Sequence, residues 1–236
     1  MKRFFYDSID STHNEAKRLL SRGERDFLVV ARHQTAGRGS RDRSFLSAGG
    51  GLYLSIVLPM KAEPVTAPCI VAAAACAVAL SRLCGRQIGC KWVNDLILDG
   101  KKIGGILSEL HEGNLIVGIG INVKQQSFPT ELSHVSSLAL CCGRSFDLVA
   151  AERAVIQQLL IYWQDEKAAL SAYRQRLLTL NREVSVLCEG KSREGFALEL
   201  EDSGALRVRF ADSGLVESLH SGQVSIRGAG SEKVYL

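Results

Sequence analysis

Polar and charged side chains flank a predicted β-hairpin in the middle of the chain, and their types could carry binding or catalysis. The segment Lys91-Trp92-Val93-Asn94-Asp95 precedes a predicted strand over residues 96–98, and Asp99-Gly100 is typical of a tight turn. Lys101 and Lys102 follow the turn. Since strand side chains alternate between faces, only one of them can enter a given cleft. The pattern fits a ligand site on one face of the hairpin, or a surface hairpin with solvated charges.

Glycines mark two places where a ligand could approach the backbone. The Gly104-Gly105 pair in the returning strand indicates that a ligand or another backbone comes close there. The segment from Gln34 to Gly51 has no hydrophobic periodicity, and residues 37–43 interleave glycines with three arginines. Glycine amides and arginine forks both bind anions, and a loop with the flexible flank Gly49-Gly50-Gly51 can fold over a ligand. The alternative is a mobile basic surface loop, for example an RNA contact.

The histidines and the remaining motifs argue against several kinds of site. The five histidines show no metal-ligand spacing, but His13 follows Ser11-Thr12 at a predicted helix start, where polar and anionic ligands are favoured. The Gly118-x-Gly120 motif is not the G-x-G-x-x-G fingerprint and precedes no helical pattern, which argues against a dinucleotide fold. The chain has no G-x-S-x-G and no cysteine–histidine signature, so covalent catalysis is not indicated.

The elements that must position these residues mix strands and helices, and the pattern then changes to short strands. Predicted strands cover residues 4–9, 27–31, 52–58, 88–91, 96–98, 103–107 and 115–123, and predicted helices cover residues 12–20, 67–83, 148–163 and 167–180. Thr12 and Glu15 have the spacing of a capping box. From residue 183 onward, short strands (184–187, 196–198, 206–208 and 224–226) alternate with turns. We therefore expect two domains, residues 1–182 and a small all-β module at 183–236.

The composition is that of an ordinary globular protein of 236 residues, 46% apolar and 23% charged, with a net charge of +4. That charge fits an anionic small molecule or an acidic partner as well as nucleic acid. Seven scattered cysteines without C-x-x-C spacing indicate free thiols in a reducing cytosol. No signal peptide is visible, and the uncharged stretch at 65–81 is alanine-rich and short. We expect a buried helix there and a cytoplasmic protein without membrane association.

Five short motifs, in their order and spacing, resemble those of the biotin protein ligases over nearly the whole chain. The matching stretches are Ser11-Thr12, the Gly-Arg-Gly loop from Gln34 to Arg43, residues 91–95, Lys102 with Gly105-Ile106-Leu107-Ser108-Glu109, and Gly118 to Asn122. The tail at 221–227 is similar to the small C-terminal barrel of that family. The resemblance implies an α+β fold with a mixed or antiparallel sheet backed by helices, of the class II synthetase-like biotin/lipoate ligase type, followed by an SH3-like β-barrel.

The resemblance further implies a two-step reaction with ATP and biotin as substrates and Mg²⁺ as the accompanying ion. Biotin would be activated to biotinyl-5′-AMP and then transferred to a lysine of a biotin carboxyl carrier protein, as in acetyl-CoA carboxylase. The implied catalytic residues are Lys102, Arg38 and Asp95. The implied biotin contacts are Ser11, Thr12, His13, Gln34, Gly37, Arg38, Gly39, Ser40, Lys102, Gly105 and Gly118. The implied ATP contacts are Arg38, Arg43, Lys91, Trp92, Asn94, Asp95, Lys102 and Asn122, and no residue is assigned to a resident metal.

Five positions depart from the family pattern. They are His13 for asparagine, Ser40 for arginine, Asp42 for glycine, Phe45 for tryptophan and Val93 for proline. Ser40 matters most, because the loss of an arginine beside the ligand should weaken the hold on the adenylate intermediate. We therefore expect an active enzyme that retains its intermediate less tightly.

Three other functions compete with this interpretation. A lipoate or octanoate ligase or transferase shares the catalytic fold, although the Gly-Arg-Gly loop and the C-terminal β-module favour biotin. A degenerate, non-catalytic biotin binder would explain the departures, but Lys102, Arg38, Asn94 and Asp95 are retained. A biotin-responsive repressor needs an N-terminal winged helix, and the first motif lies too close to Met1 for one, so we expect no specific DNA binding. A homodimer through sheet edges stays open as well.

Overall fold

The computed structural model describes residues 1–40, 43–59, 66–188, 191–220 and the backbone of 225–228. A seven-stranded sheet contains β1 (Lys2–Ile9), β2 (Phe27–Gln34), β3 (Gly51–Pro59), β4 (Gly89–Lys91), β5 (Asp95–Leu98), β6 (Lys101–His111) and β7 (Asn114–Asn122). The helices are α1 (Thr12–Ser21), α2 (Pro68–Cys84), α3 (Leu138–Cys142), α4 (Leu148–Gln164) and α5 (Glu166–Arg174). A second, five-stranded sheet contains β8 (Arg182–Cys188), β9 (Lys191–Leu200), β10 (Leu206–Phe210), β11 (Val216–Leu219) and β12 (Ser225–Gly228).

The large sheet is mixed, in the order β1-β2-β3-β7-β6-β5-β4, which confirms the predicted fold class. Strands β1 and β2 run parallel, and every other neighbouring pair in this sheet is antiparallel. The turn at Asp99-Gly100 has φ of 52° and 68°, and the turn at Glu112-Gly113 has φ of 47° and 70°. Positive φ at both central residues is the geometry that matches the twist of two-residue hairpins. These turns set β5, β6 and β7 side by side.

Helix α2 is the buried helix that the alanine-rich stretch predicts. Every residue from Ile70 to Ala77 is 0% exposed, and the helix packs between the large sheet and helices α4 and α5. Small side chains allow the helix backbone to lie close to the sheet on one face and to the other helices on the opposite face. In the part of the chain that the structure describes, no helix is both long and apolar enough to cross a bilayer.

The C-terminal strands form an antiparallel sheet in the order β11-β10-β9-β8-β12, as the change of pattern after residue 183 predicts. Strand β11 is absent from the sequence-based expectation, because its segment Val216–Leu219 has two polar residues, Glu217 and Ser218, in place of an apolar run. Residues 221–224 of the tail that resembles the family barrel lie outside the described residues. The domain boundary at residue 182 stays a prediction.

Two local predictions are wrong, each because a tertiary contact prevails. The helix expected over 167–180 ends at Arg174, since residues 176–178 instead bond to Cys90 of β4. The capping box of Thr12 and Glu15 does not form. Ser11 is the N-cap, with its Oγ accepting from the N–H of His13, while the hydroxyl of Thr12 is used elsewhere.

The packing of α2 makes it intolerant of added volume. We expect Ala75→Leu to lower the free energy of unfolding by about 1–3 kcal/mol, because the extra methyl groups find no space. The same change at the exposed Ala150 of α4 should alter it by less than about 0.5 kcal/mol. Urea unfolding of the two variants checks this, and equal midpoints would contradict the close packing of α2.

Candidate active site

A single cavity of about 290 Å³ gathers most of the predicted site residues. Those that line it are Ser11, Thr12, His13, Gln34, Arg38, Gly39, Ser40, Arg43, Asn94, Lys102, Gly105, Gly118 and Asn122. Asp95 contacts this group through Lys102. Gly37, Lys91 and Trp92 are not among the lining residues, and Lys91 and Trp92 are buried.

One end of the cavity is neutral and polar, and it is built where α1 begins beside β2 and β3. Gln34 Oε1 accepts from the backbone N–H of Thr12 at 2.8 Å and from its hydroxyl at 3.1 Å. The hydroxyl of Ser55 donates to Thr12 Oγ1 at 2.9 Å. Both hydroxyl hydrogens are therefore used within the protein, which leaves oxygen lone pairs of Thr12 and Ser55 to accept from a ligand. Ser11 Oγ is an acceptor for the N-cap bond, so its own hydrogen is available to donate to a ligand carbonyl.

His13 lies at this neutral end as a buried, uncharged imidazole. Its Nε2 is 3.0 Å from Glu109 Oε2, and Glu109 also forms an ion pair with Lys17. Burial lowers the pKa of His13 to about 4, despite the opposing effect of the Glu109 carboxylate. Although burial opposes it, hydrogen bonds from Lys17 and His13 lower the pKa of Glu109. Since a carboxylate only accepts, we assign the imidazole hydrogen to Nε2, which makes Nδ1, beside Gly118, an acceptor with no protein partner among the described residues.

The loop after β2 folds back on itself tightly, and its glycines make this approach possible. Gly39 N–H donates to the carbonyl of Arg43 at 2.7 Å, and Phe45 N–H donates to the carbonyl of Gly37 at 2.8 Å. A Cβ on Gly37 would lie 2.4 Å from Ser47 Oγ and 2.5 Å from the Phe45 oxygen. Gly37 therefore shapes the loop from outside the cavity. The departure at Asp42 lies outside the described residues.

Two arginines of this loop add positive charge to the cavity wall. Arg38 is about one-third exposed, with Nη1 at 3.4 Å from Asn14 Oδ1 and 3.8 Å from Glu109 Oε2. Arg43 folds toward Ser40, donating from Nε to its carbonyl at 3.2 Å and from Nη2 to its hydroxyl at 3.1 Å. Ser40, which stands where the family has an arginine, thus holds the side chain of a neighbouring arginine.

Lys102 and Asp95 form the charged end of the cavity. Lys102 Nζ is 2.5 Å from Asp95 Oδ1, across the antiparallel pair β5–β6. Lys101 points to the other side, where its Nζ donates to the Ser133 carbonyl at 2.6 Å. The predicted alternation is confirmed, and Lys102 is the lysine that enters the cavity. A Cβ on the neighbouring Gly104 would lie 2.7 Å from the Gly120 oxygen, so that glycine serves the close approach of another backbone.

Two asparagines complete the charged end. Asn94 Nδ2 donates to the Ile106 carbonyl at 2.8 Å, and Asn122 Nδ2 donates to the Ser136 carbonyl at 3.0 Å. The Oδ1 atom of Asn122 is buried and has no hydrogen-bond partner in the described part of the chain. Amide oxygens and carboxylates are the ligands that Mg²⁺ prefers. Within the described ranges, no cluster of three or more His, Cys, Asp or Glu side chains could hold a metal ion.

Comparison with known proteins agrees with this geometry. Residues 5–126 match the sequence model of the biotin/lipoate A/B protein ligase family. The chain belongs to this family. It is 36% identical over 174 residues to the bifunctional ligase/repressor BirA of Bacillus spizizenii, covering 68% of this chain and 52% of that protein. It is 30% identical over 190 residues to the biotin--[acetyl-CoA-carboxylase] ligase of Mycobacterium tuberculosis, covering 76% of this chain and 71% of that protein.

The fold agrees with the same family over nearly its whole length. The biotin protein ligase from Aquifex aeolicus, solved in complex with biotin and ATP, superposes with a TM-score of 0.84 at 28% identity. The match covers 97% of this chain and 99% of that chain. By contrast, the chain spans about half the length of the first BirA relative.

Sequence reasoning missed several residues that line the cavity of this family member. Phe45 packs edge-on against Tyr53, and its ring would be 2.8 Å from a Cβ on Gly120. The sequence did give one signal for Phe45, because this residue stands where the family has tryptophan. Phe128, Leu132, His134 and Val135 also line the cavity, from a segment that bonds to both backbone groups of Lys102. That segment has no periodicity, so nothing in the sequence predicts its placement.

The neutral state of His13 predicts a specific acid sensitivity. Its pKa is about 4 in the folded protein and about 6.5 in an unfolded chain, so the unfolded state binds more protons between these values. Stability is therefore lost as the pH falls. From pH 7 to pH 5 this group should remove about 2 kcal/mol from the free energy of unfolding. In His13→Asn, which cannot titrate, we expect that part of the loss to disappear in urea titrations. Parallel pH profiles would contradict the burial of a neutral imidazole.

Proposed function

We propose that the protein is a biotin protein ligase, which activates biotin with ATP and transfers it to a lysine of a biotin carboxyl carrier protein. The observation that carries this proposal is the two-ended cavity. A neutral end with matched hydrogen-bond donors and acceptors continues, within one space, into an end formed by Lys102, Asp95, Asn94 and Asn122. A substrate with a polar ring at one end and a carboxylate at the other fits this distribution.

The neutral end suits the ureido ring of biotin. The hydroxyl of Ser11 would donate to the ring carbonyl, and the lone pairs of Thr12 and Ser55 would accept from the ring N–H groups. His13, Gln34 and Gly118 would complete this surface. The apolar side chains Leu54, Ile106 and Ile119 line the same cavity and would contact the aliphatic part of the molecule. Lipoate and octanoate lack N–H donors, so they would leave these acceptors unsatisfied.

The charged end suits the first step, in which the biotin carboxylate attacks the α-phosphorus of ATP and pyrophosphate leaves. Two anions must meet, so cations have to offset their repulsion and the charge that develops on the phosphate. Lys102 would contact the carboxylate and the α-phosphate, and Arg38 and Arg43 would contact the phosphate region. The Gly39 N–H is already bonded to the Arg43 carbonyl, so Gly39 would contribute by holding the loop closed. Gly37 would contribute through the shape of the loop.

Asp95 and Asn122 are the groups that fit a magnesium ion at this end. Asp95 supplies a carboxylate, and Asn122 supplies a buried amide oxygen that otherwise lacks a partner among the described residues. When bound with ATP, Mg²⁺ would neutralise phosphate charge. The Asn94 side chain, fixed by Ile106, would help to place the nucleotide. Lys91 would contribute positive charge from its buried position on β4.

In the second step, the neutral amine of a carrier lysine would attack the acyl carbonyl of biotinyl-5′-AMP and form an amide C–N bond. The bond between the acyl carbon and the bridging phosphate oxygen would break, AMP would leave with that oxygen, and the amine proton would pass to solvent. No enzyme nucleophile is needed. The loop at 37–45 would shield the mixed anhydride from water while the carrier docks. Seven free cysteines agree with a reducing compartment, so we place this reaction in the cytoplasm.

The adjacent lysines allow a matched test of the first step. We expect ATP–pyrophosphate exchange that depends on biotin and not on lipoate or octanoate. Lys102→Ala should lower the exchange rate by roughly 100- to 1,000-fold, because the main cation between the two anions is removed. Lys101→Ala should leave it within about twofold, since that side chain points to the opposite face.

Three results would contradict the proposal in different ways. Exchange with lipoate or octanoate instead of biotin would keep the fold and change the substrate. Equal loss in the two lysine variants, with unchanged circular dichroism, would remove Lys102 from its assigned role. Biotin binding without exchange in the natural protein would favour a non-catalytic binder.

Ser40 provides a second prediction, on retention of the intermediate. We expect Ser40→Arg to slow dissociation of biotinyl-5′-AMP by roughly tenfold or more, because one charge-assisted hydrogen bond to phosphate is added. Ser40→Gln is the control, since glutamine adds length without charge. Dissociation is followed by filter binding of labelled adenylate. If natural protein and Ser40→Arg release it equally slowly, then Arg43, held by Ser40, already supplies the missing contact.

A further inference from the structure

Trp92 stands two residues before the cavity residue Asn94, in the turn that joins β4 to β5, yet its side chain points away from the cavity. The residue is 5% exposed, and its indole Nε1–H donates to the carbonyl of Gly204 at 3.0 Å. Gly204 lies in the turn between β9 and β10 of the C-terminal module. A residue of the Lys-Trp-x-Asn-Asp motif is therefore bonded directly to the C-terminal module.

Two more hydrogen bonds hold the same segment of backbone. The N–H of Trp92 donates to Thr179 Oγ1 at 2.9 Å, and the hydroxyl of Tyr173 donates to the Val93 carbonyl at 3.0 Å. Thr179 and Tyr173 are both buried, so water cannot replace either bond without a structural change. Residues 92 and 93 are thus fixed by α5, by the segment that follows it and by the C-terminal turn.

The turn that receives the indole is itself seated on the start of α2. The carbonyl of Ser203 accepts from the N–H of Ala67 at 3.2 Å. Gly204 has φ of 87°, and a Cβ there would lie 2.5 Å from Ile70 Cδ1. Only glycine combines this backbone conformation with so close an approach. The acceptor of the indole hydrogen bond is therefore held against the core helix.

Immediately after the fixed segment, the chain enters the charged end of the cavity. The Asn94 carbonyl accepts from the N–H of Ile106 at 2.9 Å, and Asp95 Oδ1 pairs with Lys102 Nζ at 2.5 Å. Because one peptide bond separates Val93 from Asn94, a displacement of Trp92 shifts Asn94 and Asp95. A misplacement of about 1 Å can lower a reaction rate by roughly 100-fold. The neutral end is carried by other elements, α1 and β2, and should not be affected.

We propose that Trp92 is a positioning residue through which the C-terminal module sets the placement of Asn94 and Asp95 for the nucleotide-dependent step. This inference rests on the proposed function and deepens it. It gives the C-terminal module a part in ATP activation without any contact between Trp92 and a ligand. It also accounts for a motif tryptophan that does not line the cavity.

The test measures how the KM for ATP and the Kd for biotin change when the indole hydrogen bond is lost. In Trp92→Phe, which keeps an aromatic ring and loses the N–H, we expect the KM for ATP in pyrophosphate exchange to rise by on the order of tenfold. The Kd for biotin, measured by calorimetry without ATP, should change by less than about twofold. Thr179→Val removes the second hydrogen bond to Trp92 by a nearly isosteric change, and it should move the KM for ATP in the same direction.

Trp163→Phe is the matched control, because Trp163 is the other tryptophan of the chain and is also 5% exposed. A general loss of packing would weaken the binding of both substrates, or would change the KM for ATP equally in Trp163→Phe and Trp92→Phe. Either result would overturn the positioning role. Unchanged KM values for ATP in Trp92→Phe and Thr179→Val, with exchange intact in the natural protein, would overturn it as well and leave the proposed function standing. Failure of the natural protein to bind ATP in calorimetry would overturn both.

Discussion

The ion pair between Lys102 and Asp95 is the interaction on which the arrangement of the site depends. Its two groups lie 2.5 Å apart, on neighbouring strands, at the charged end of the cavity. An unpaired charge in a half-buried position is unfavourable, so the carboxylate allows an ammonium group to stand there before any substrate arrives. In the proposed reaction, an anionic substrate would compete with Asp95 for a cation that is already in position. This kind of preorganisation avoids rearrangement at the moment of reaction.

The alternation of side chains along β6 determines which of two adjacent lysines forms that ion pair. Lys101 and Lys102 are adjacent, and only the alternation of strand faces separates the lysine in the cavity from the lysine bound to Ser133. The register of β6 is fixed on both sides, by β5 and β7, through two hairpins whose turn residues have positive φ. A slip of one residue would exchange the two lysines. The turn chemistry at Asp99-Gly100 is therefore a requirement of the site as well as of the fold.

Local patterns made much of this predictable, and long-range contacts account for what was missed. The hairpins and the buried helix α2 follow from turn dipeptides and periodicity, and most residues on both ends of the cavity were predicted through the resemblance of five short motifs to the biotin protein ligases. The end of α5 does not, because residues 176–178 leave the helix to bond with Cys90. The partner of Trp92 does not either, since Gly204 is 112 residues away. Nothing within a sequence window around position 92 specifies such a partner.

Three of the residues that depart from the family pattern make specific contacts within this chain. These contacts bear on whether the site has lost its function. His13 is bonded to Glu109, Ser40 holds Arg43, and Phe45 occupies the space left above Gly120. A site released from selection would accumulate changes that leave buried polar atoms without hydrogen-bond partners and aromatic rings without packing contacts. Here Ser40 and Phe45 are each accommodated by a specific neighbour, while His13 is bonded to Glu109 through Nε2 and keeps Nδ1 as an acceptor beside Gly118 of the cavity lining. Neutral His13 adds no charge of its own at the ring-binding end, while Lys102 supplies a cation at the other end. That division fits the proposed carboxylate activation, in which the repulsion between two anions has to be offset.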